Sequence, residues 1–264
     1  MEFDSAGVSW AAKTAGEIGA LGDADGSVAV VPVGSVEQHG DHLPVATDTI
    51  LAEAVAAHGA ERVADDVPIL VTPPVWAGNS PHHVAFGGTI SVGVHGLLDL
   101  LERVAGSVLD NGFDALLFVN GHGGNRATVG DAVSTVGAAR PDAQVLGVTY
   151  FELADSFVHD VRESDAGGMA HAGEFETSLL LHLRPALVDE DAMDADPMDE
   201  PYERAAGDMF DEGPLAVYRS FEEYSASGAV GDPQLASAEK GERIFESLGD
   251  ELESLLRGIH ERNR

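Results

Sequence analysis

The sequence contains no cysteine among its 264 residues. Disulfide bonds and thiolate metal sites are therefore excluded, and any metal ion must be held by histidine, aspartate or glutamate. No apolar run is long enough to cross a bilayer, and Met1–Asp4 lacks the basic and then apolar pattern of a secretion signal. We expect a cytoplasmic protein.

Basic residues are also scarce, with 14 lysines and arginines against 46 aspartates and glutamates and a formal net charge of −32. A field of this sign repels polyanions, so we expect neither nucleic acid nor a membrane surface as a partner. The acidic residues are spread along the chain, which suits a solvated surface in very high salt. We interpret the acidity as a halophilic adaptation and not as part of a reaction mechanism.

Short apolar runs alternate with amphipathic segments along the chain. We predict strands at Ser27–Val33, Val67–Pro73, Ala115–Val119 and Gln144–Tyr150, and helices at Asp48–Arg62, Val94–Asn111, Arg126–Ala139, Glu174–Leu183 and within Asp232–Arg264. This alternation predicts an α/β fold with a largely parallel sheet covered on both faces. Ligands of such sheets bind beyond the carboxyl ends of the strands. The acidic segment Asp189–Gly213 is predicted to be a solvated surface loop, with a lid or a subunit contact as the alternative.

The first polar cluster follows the first predicted strand and ends at the start of a helix. Glu37 and His39 are two residues apart and can point to one side of an extended loop, while Gly40 allows a sharp turn behind them. Asp48 is either a helix N-cap or a metal ligand, and its neighbours favour the ligand. Oxygen and nitrogen donors without sulfur suit Zn²⁺, Mn²⁺ or Fe²⁺.

The second cluster is the glycine-rich turn Asn120–Asn125, which follows a buried strand and precedes a helix. His122 is its strong metal donor, whereas Gly123, Gly124 and Asn125 allow a substrate to approach the backbone. The alternative interpretation is an ordinary β-to-α turn whose amides bind a phosphate.

The third cluster surrounds the start of the helix predicted at Glu174. His171 and Glu174 are three residues apart and can share one face, whereas helical spacing turns Glu176 elsewhere unless the first turn is irregular. Acidic residues complement a helix N-terminus, but a histidine cation is disfavoured there. A neutral histidine that serves as a metal ligand or as a general base therefore fits position 171 better. We expect His171 to pass a proton to the leaving nitrogen, with Glu176 or a neighbour orienting it. Ser80 and His83, on a separate loop, are candidates to line the pocket, as is His42 in the first cluster.

Taken together, these clusters resemble the creatininase (creatinine amidohydrolase) family. The resemblance rests on Gly34–Gly40, His42–Pro44 leading to Asp48, Asn120–Asn125, His171–Ser178, and Gly231–Pro233 with Ala238–Gly241. It implies a single domain over residues 1–264, a three-layer α/β/α sandwich, two divalent metal ions and hydrolysis of C–N bonds in small amides. It also implies a homo-oligomer, commonly a hexamer.

The resemblance further implies Glu37 and His122 on one metal ion, His39 on the other and Asp48 as the bridge. Creatininase supplies another glutamate from the loop that matches Asn120–Asn125, but this chain has Gly124 there. We therefore expect Glu174 to supply the missing carboxylate, with Glu176 as the alternative. Creatininase also walls its pocket with tryptophans, and neither Trp10 nor Trp76 stands in the matching region.

These departures favour branches of the family other than creatininase itself. The resemblance then implies a dinuclear metal hydrolase of a small non-peptide amide, similar to the deformylase of a formylamino-pyrimidine nucleotide in riboflavin and deazaflavin synthesis. The alternatives are a creatininase-like metallopeptidase, such as that of the mycofactocin pathway, and a non-catalytic protein that binds metal or nucleotide.

Overall fold

The structure is a computed structural model and describes residues 7–199, 202–205, 207–210 and 213–264. The prediction about Met1–Asp4 lies outside these residues. The strands are β1 (Val28–Val33), β2 (Ile69–Val71), β3 (Ala115–Asn120), β4 (Gln144–Thr149), β5 (Met169–His171) and β6 (Val230–Gly231). The helices are α1 (Ala15–Gly22), α2 (Thr47–Glu61), α3 (Gly93–Leu109), α4 (Arg126–Ala139), α5 (Val158–Val161), α6 (Glu174–Leu183) and α7 (Ala238–Arg262). None of these described helices combines the length and the apolar composition that crossing a membrane requires.

The main sheet is parallel, with the strand order β2-β1-β3-β4. β1 and β3 pair in register from Val28 opposite Ala115 to Val33 opposite Asn120, so both strands end at the same edge. Every residue of β1 and β3 is buried, as expected of central strands that are covered on both faces. β5 and β6 form a separate two-stranded antiparallel sheet.

Helices cover the two faces of the sheet, and alternate residues of β1 point into two separate cores. Val28 and Val30 pack in one core with residues of α2, α6 and α7. Ala29 and Val31 pack in the other core with residues of α1, α3 and α4. The predicted three-layer α/β/α architecture with a mostly parallel sheet is therefore confirmed.

The segment Asp189–Gly213 is only partly a surface loop. Among its described residues, Met198, Asp208 and Met209 line the cavity above the sheet edge. The Asp208 carboxylate accepts hydrogen bonds from the amides of Gly167 and Phe210, both at 2.9 Å, and pairs with an arginine. The predicted solvated loop is wrong for these residues, because a buried carboxylate that bonds to the backbone fixes this part of the segment.

The surface charge gives a first prediction about stability. We expect the melting temperature to rise steeply as NaCl is added, because the Debye length falls from about 10 Å at 0.1 M to about 3 Å at 1 M and screens the repulsion among the 46 acidic residues. Thermal unfolding across this range measures the effect, with sucrose at matched osmolality as the control that does not screen charge. An unchanged melting curve in low salt would contradict the halophilic interpretation.

Candidate active site

The carboxylate of Asp48 faces two histidines from different parts of the chain. Its Oδ1 lies 3.0 Å from His39 Nε2 and its Oδ2 lies 3.2 Å from His122 Nδ1. Asp48 is buried in the first turn of α2, whose N-cap position is Ala46, so the N-cap alternative does not hold. One carboxylate thus connects the loop after β1 with the loop after β3, as expected for neighbouring parallel strands that end at one edge.

Glu37 completes a first group of donors around His122. Its Oε1 lies 3.2 Å from His122 Nδ1, and the Glu37 side chain is buried. The other ring nitrogen of His122, Nε2, lies 3.0 Å from Ser80 Oγ and 3.2 Å from the Asn79 carbonyl oxygen, to which it can donate. Nδ1 is therefore the ring nitrogen that faces the carboxylates of Glu37 and Asp48. Ser80 thus contacts His122 and does not line the cavity where we predicted a substrate contact.

Glu176 completes a second group around His39. Its Oε1 lies 3.9 Å from His39 Nε2, and its Oε2 accepts a hydrogen bond of 2.7 Å from the Ala172 amide. Ala172 has a φ of 53°, a left-handed conformation that costs a residue other than glycine about 1–2 kcal/mol. This turn makes the start of α6 irregular and directs Glu176 into the site. His42 stabilises the turn, because its Nε2 lies 3.1 Å from the Ala172 carbonyl oxygen. We predicted that His42 lines the pocket, but it is not among the residues that line the cavity.

Buried side chains here could hold metal ions: Glu37, His39 and Asp48 offer ligand atoms that all lie within 4.8 Å of one another, and so do His39, His171 and Glu176. Two ligand atoms on one tetrahedral ion at ~2.1 Å lie roughly 3.4 Å apart, close to the spacings of 3.0 to 3.2 Å around Asp48. Within the described part of the chain, Glu37 Oε2, His39 Nε2 and Asp48 Oδ2 are buried and have no hydrogen-bond partner. His39 Nε2 lies 3.0 Å from Asp48 Oδ1, so these two atoms are close enough to bind one ion.

The negative charges of the Glu37 and Asp48 carboxylates also favour the binding of cations. Burial lowers the pKa of His122, but the carboxylates of Glu37 and Asp48 outweigh it and raise the pKa to about 10. Burial likewise opposes the effect of Asp48 on His39, whose pKa is raised well above its ordinary value. Burial raises the pKa of Glu37, because its charged form loses solvation. The carboxylates thus favour positive charge beside them, which divalent cations supply.

Glu174, our predicted last ligand, lies outside both groups. Its carboxylate pairs with the buried ammonium of Lys240 and accepts from the amides of Glu163 at 2.9 Å and Ser164 at 3.0 Å. The assignment of a metal to Glu174 is therefore corrected, since its oxygens are already used by these donors. Position 124 has no room for a glutamate, because a Cβ there would collide with His122 Nε2 and the Asn79 carbonyl oxygen. A carboxylate for the site must therefore come from another element, such as α6.

His171 and His83 flank Glu37 on the side of the cavity. Glu37 Oε1 lies 3.3 Å from His83 Nε2 and 3.8 Å from His171 Nδ1, and the two rings lie 4.4 Å apart between centroids. Burial lowers the pKa of both histidines, and neighbouring imidazoles lower it further. Both rings are thus neutral at neutral pH. His171 Nε2 contacts the main-chain oxygen of Gln38 at 2.8 Å. The orienting role of Glu176 stays a prediction.

A cavity of about 460 Å³ opens above the two groups. Phe221 covers the histidines, with its ring centroid 4.0 Å from that of His83 and 4.8 Å from that of His171. Gly123 and Gly124 line the cavity, whereas Asn125 is buried, accepts a hydrogen bond from the Asn79 amide and donates one to the Gly34 carbonyl oxygen. Sequence reasoning missed the following lining residues, which come from distant loops without a recognisable motif: Arg126, Arg219, Phe221 and Tyr224.

Comparison with known proteins places these features in context. The family model described as creatinine amidohydrolase matches residues 11–256. The mycofactocin precursor peptide peptidase of Mycobacterium tuberculosis is 38% identical over 228 residues, which cover 84% of this chain and 81% of that protein. The 3-dehydro-scyllo-inosose hydrolase of Thermotoga maritima is 31% identical over 257 residues, covering 88% and 78% of the two chains. A structure described as creatininase with Mn superposes with a TM-score of 0.82 at 26% identity, covering 97% of this chain and 98% of the other.

Proposed function

This chain belongs to the creatininase family, and we propose that it cleaves the amide C–N bond of a small substrate with the help of two divalent metal ions. The observation that carries the proposal is the position of Asp48, whose two carboxylate oxygens face the imidazoles of His39 and His122. The two groups of donors that share Asp48 include Glu37 with His122 and Glu176 with His39. Shared carboxylates are the usual means by which proteins hold two ions about 3.5–4 Å apart.

Divalent ions bound here would lower the pKa of a water molecule and polarise the substrate carbonyl. The chain itself supplies the proton transfer. His171 is neutral and lines the cavity beside Glu37, so it can accept a proton from the attacking water and deliver it to the leaving nitrogen. Phe221 covers the rings of His171 and His83 and keeps bulk water from them.

Removing metal is expected to abolish activity. Dialysis against a chelator should lower turnover to the background rate, and Zn²⁺ or Mn²⁺ should restore it, because the ligand atoms around Asp48 are nitrogen and oxygen only. Elemental analysis of the dialysed protein is the control for complete removal. Full turnover by protein shown to be free of metal would refute the proposed mechanism.

The cavity wall supports a substrate that carries an anionic group. Two of the chain's 14 basic residues line the cavity: Arg126, paired with Glu152, and Arg219, whose guanidinium lies 4.1 Å from the centroid of the Tyr224 ring. A planar guanidinium binds carboxylate and phosphate oxygens in pairs. A formylamino-pyrimidine nucleotide presents a phosphate, and a short peptide presents its terminal carboxylate.

A short peptide is the second candidate substrate, and the 38% identity to a mycofactocin precursor peptide peptidase favours it. The decisive assay compares creatinine, small formamides, the formylamino-pyrimidine nucleotide and short peptides, each in high salt with added metal. Peptides with a free or an amidated C-terminus form the matched pair. A free carboxylate that accelerates cleavage supports the peptide, whereas turnover of the nucleotide alone supports the non-peptide amide.

A further inference from the structure

Gln38 lies between the two histidines that flank Glu37. Its side-chain Nε2 lies 2.8 Å from His83 Nδ1, and its main-chain oxygen lies 2.8 Å from His171 Nε2. Gln38 is itself 5% exposed, so solvent does not compete for these bonds. One residue thus contacts the outer ring nitrogen of both histidines.

The orientation of the Gln38 amide is fixed by two backbone groups. Its Oε1 accepts a hydrogen bond of 3.0 Å from the Gly40 amide, and its Nε2 donates one of 2.9 Å to the Gly228 carbonyl oxygen. With the amide flipped, the Gln38 NH₂ group would face the Gly40 N–H, which is also a donor, and the side-chain oxygen would face the Gly228 carbonyl oxygen, which is also an acceptor. The flipped orientation is therefore excluded. Gly228 has a φ of 89°, and a Cβ there would collide with Gln38 Oε1, which explains the glycine.

This orientation decides where the proton of His83 lies. The Gln38 amide nitrogen lies near three groups: the Gly228 oxygen at 2.9 Å, His83 Nδ1 at 2.8 Å and His171 Nε2 at 3.3 Å. His171 Nε2 donates its own proton to the Gln38 main-chain oxygen and is not an acceptor. The two amide hydrogens therefore go to Gly228 and to His83 Nδ1, which must be an acceptor. A neutral imidazole with an acceptor at Nδ1 carries its proton on Nε2. His83 Nε2 lies 3.3 Å from Glu37 Oε1, so this N–H is directed at the carboxylate.

The tautomer of His171 follows from the main chain. The Gln38 carbonyl oxygen can only accept, so His171 Nε2 carries a proton and donates it there. Nδ1 is then the acceptor nitrogen of His171. It lies on the side of Glu37 Oε1, at 3.8 Å, in the wall of the cavity.

We propose that Gln38 is a positioning residue that fixes both tautomers, so that His171 accepts a proton through Nδ1 while His83 Nε2–H holds the Glu37 carboxylate. The inference rests on the hydrolysis proposed above. As the water oxygen bonds to the carbonyl carbon, the water proton moves to His171 Nδ1, and the Gln38 carbonyl stabilises the imidazolium. As the C–N bond breaks, the same proton passes to the leaving nitrogen, and His171 returns to its starting tautomer.

Nuclear magnetic resonance reads these tautomers directly in the zinc-loaded protein with ¹⁵N-labelled histidine. Long-range ¹H–¹⁵N correlations should show a protonated Nε2 and an unprotonated Nδ1 for both rings. The chain has 11 histidines, so the variants His83→Asn and His171→Asn are used to assign the signals. A protonated Nδ1 on either ring would overturn the inference, as would a zinc-bound Nε2 on His83. The spectrum requires no substrate, so this failure is distinguishable from failure of the proposed reaction.

The variant Gln38→Glu tests the consequence for activity. A carboxylate still accepts from Gly40 but cannot donate to His83, so the His83 proton should move to Nδ1 and Glu37 should lose a hydrogen bond. Loss of such an outer hydrogen bond to a ligating carboxylate costs about 10–100-fold in metal affinity or activity, and we expect this fall in kcat with KM within about twofold. A Gln38→Glu protein in which His83 keeps its proton on Nε2 would overturn the assignment even if that protein is inactive.

Discussion

Replacing Glu176 by glutamine should leave the protein with one metal ion per chain instead of two. Glu176 is the carboxylate nearest His39 after Asp48, at 3.9 Å, and a neutral amide is a poor substitute for an anionic ligand. Turnover should fall by about a thousandfold, since several kcal/mol of stabilisation from one ion are lost. Metal content by elemental analysis and initial rates on the substrate identified by the assay panel measure the two effects.

The matched control for this experiment is Glu174→Gln, two residues away on the same helix. Because Glu174 bonds to Lys240 and to the amides of Glu163 and Ser164, this variant should keep both ions and lose stability instead. If Glu174→Gln lost a metal ion while Glu176→Gln kept both, the assignment of the second group would be reversed. The two variants together thus distinguish a metal ligand, Glu176, from a nearby glutamate that binds no metal, Glu174.

Replacing Lys240 by methionine should cause the largest loss of stability. The Lys240 ammonium is buried in α7, where it pairs with Glu174, donates to the Leu235 carbonyl oxygen at 2.6 Å and lies 3.0 Å from Glu163. Removing it leaves the Glu174 carboxylate buried without its cation, which typically costs about 3–5 kcal/mol. Urea unfolding in high salt gives the free energy of unfolding. The double variant Lys240→Met with Glu174→Gln should recover part of the loss, and strict additivity would contradict the coupling.

The effect of Lys240→Met should also depend on pH. Burial alone would raise the pKa of Glu174, but the Lys240 ammonium and the amides of Glu163 and Ser164 lower it overall. A carboxyl group whose pKa is lowered in the folded protein stabilises it above the unfolded pKa of about 4.3 and loses that effect as the pH falls through the folded value. The difference in stability between wild type and Lys240→Met should therefore be largest near neutral pH and shrink below about pH 4. A difference independent of pH would contradict this.

Much of the fold was accessible from the sequence, because the central strands β1 and β3 are buried on both faces and helices α3 and α7 are strongly amphipathic. Arg126–Ala139 and Glu174–Leu183 were predicted with the bounds that the structure has. Helix α1 was missed, although Thr14 and Glu17 form a capping box that signals its start. Strands β5 and β6 have three and two residues, which is too short for the alternating apolar pattern of a strand to be recognised.

Three stretches of the site were also predictable, because polar residues that follow neighbouring parallel strands must meet at one edge of the sheet. The choice between Glu174 and Glu176 was not. It depends on the left-handed turn at Ala172 and on Lys240, which is 66 positions beyond Glu174 in the chain. Helical spacing carries no information about either feature. The predicted hexamer and the cytoplasmic location stay predictions.

The central claim is that two cations share Asp48 between separate groups of ligands. Crystals grown with Mn²⁺ and measured for anomalous scattering test it most directly. We predict two peaks, one beside Glu37, Asp48 and His122 and the other beside His39, Asp48 and Glu176. A single peak, or a peak among Glu37, His83 and His171 with none beside Asp48, would contradict the account.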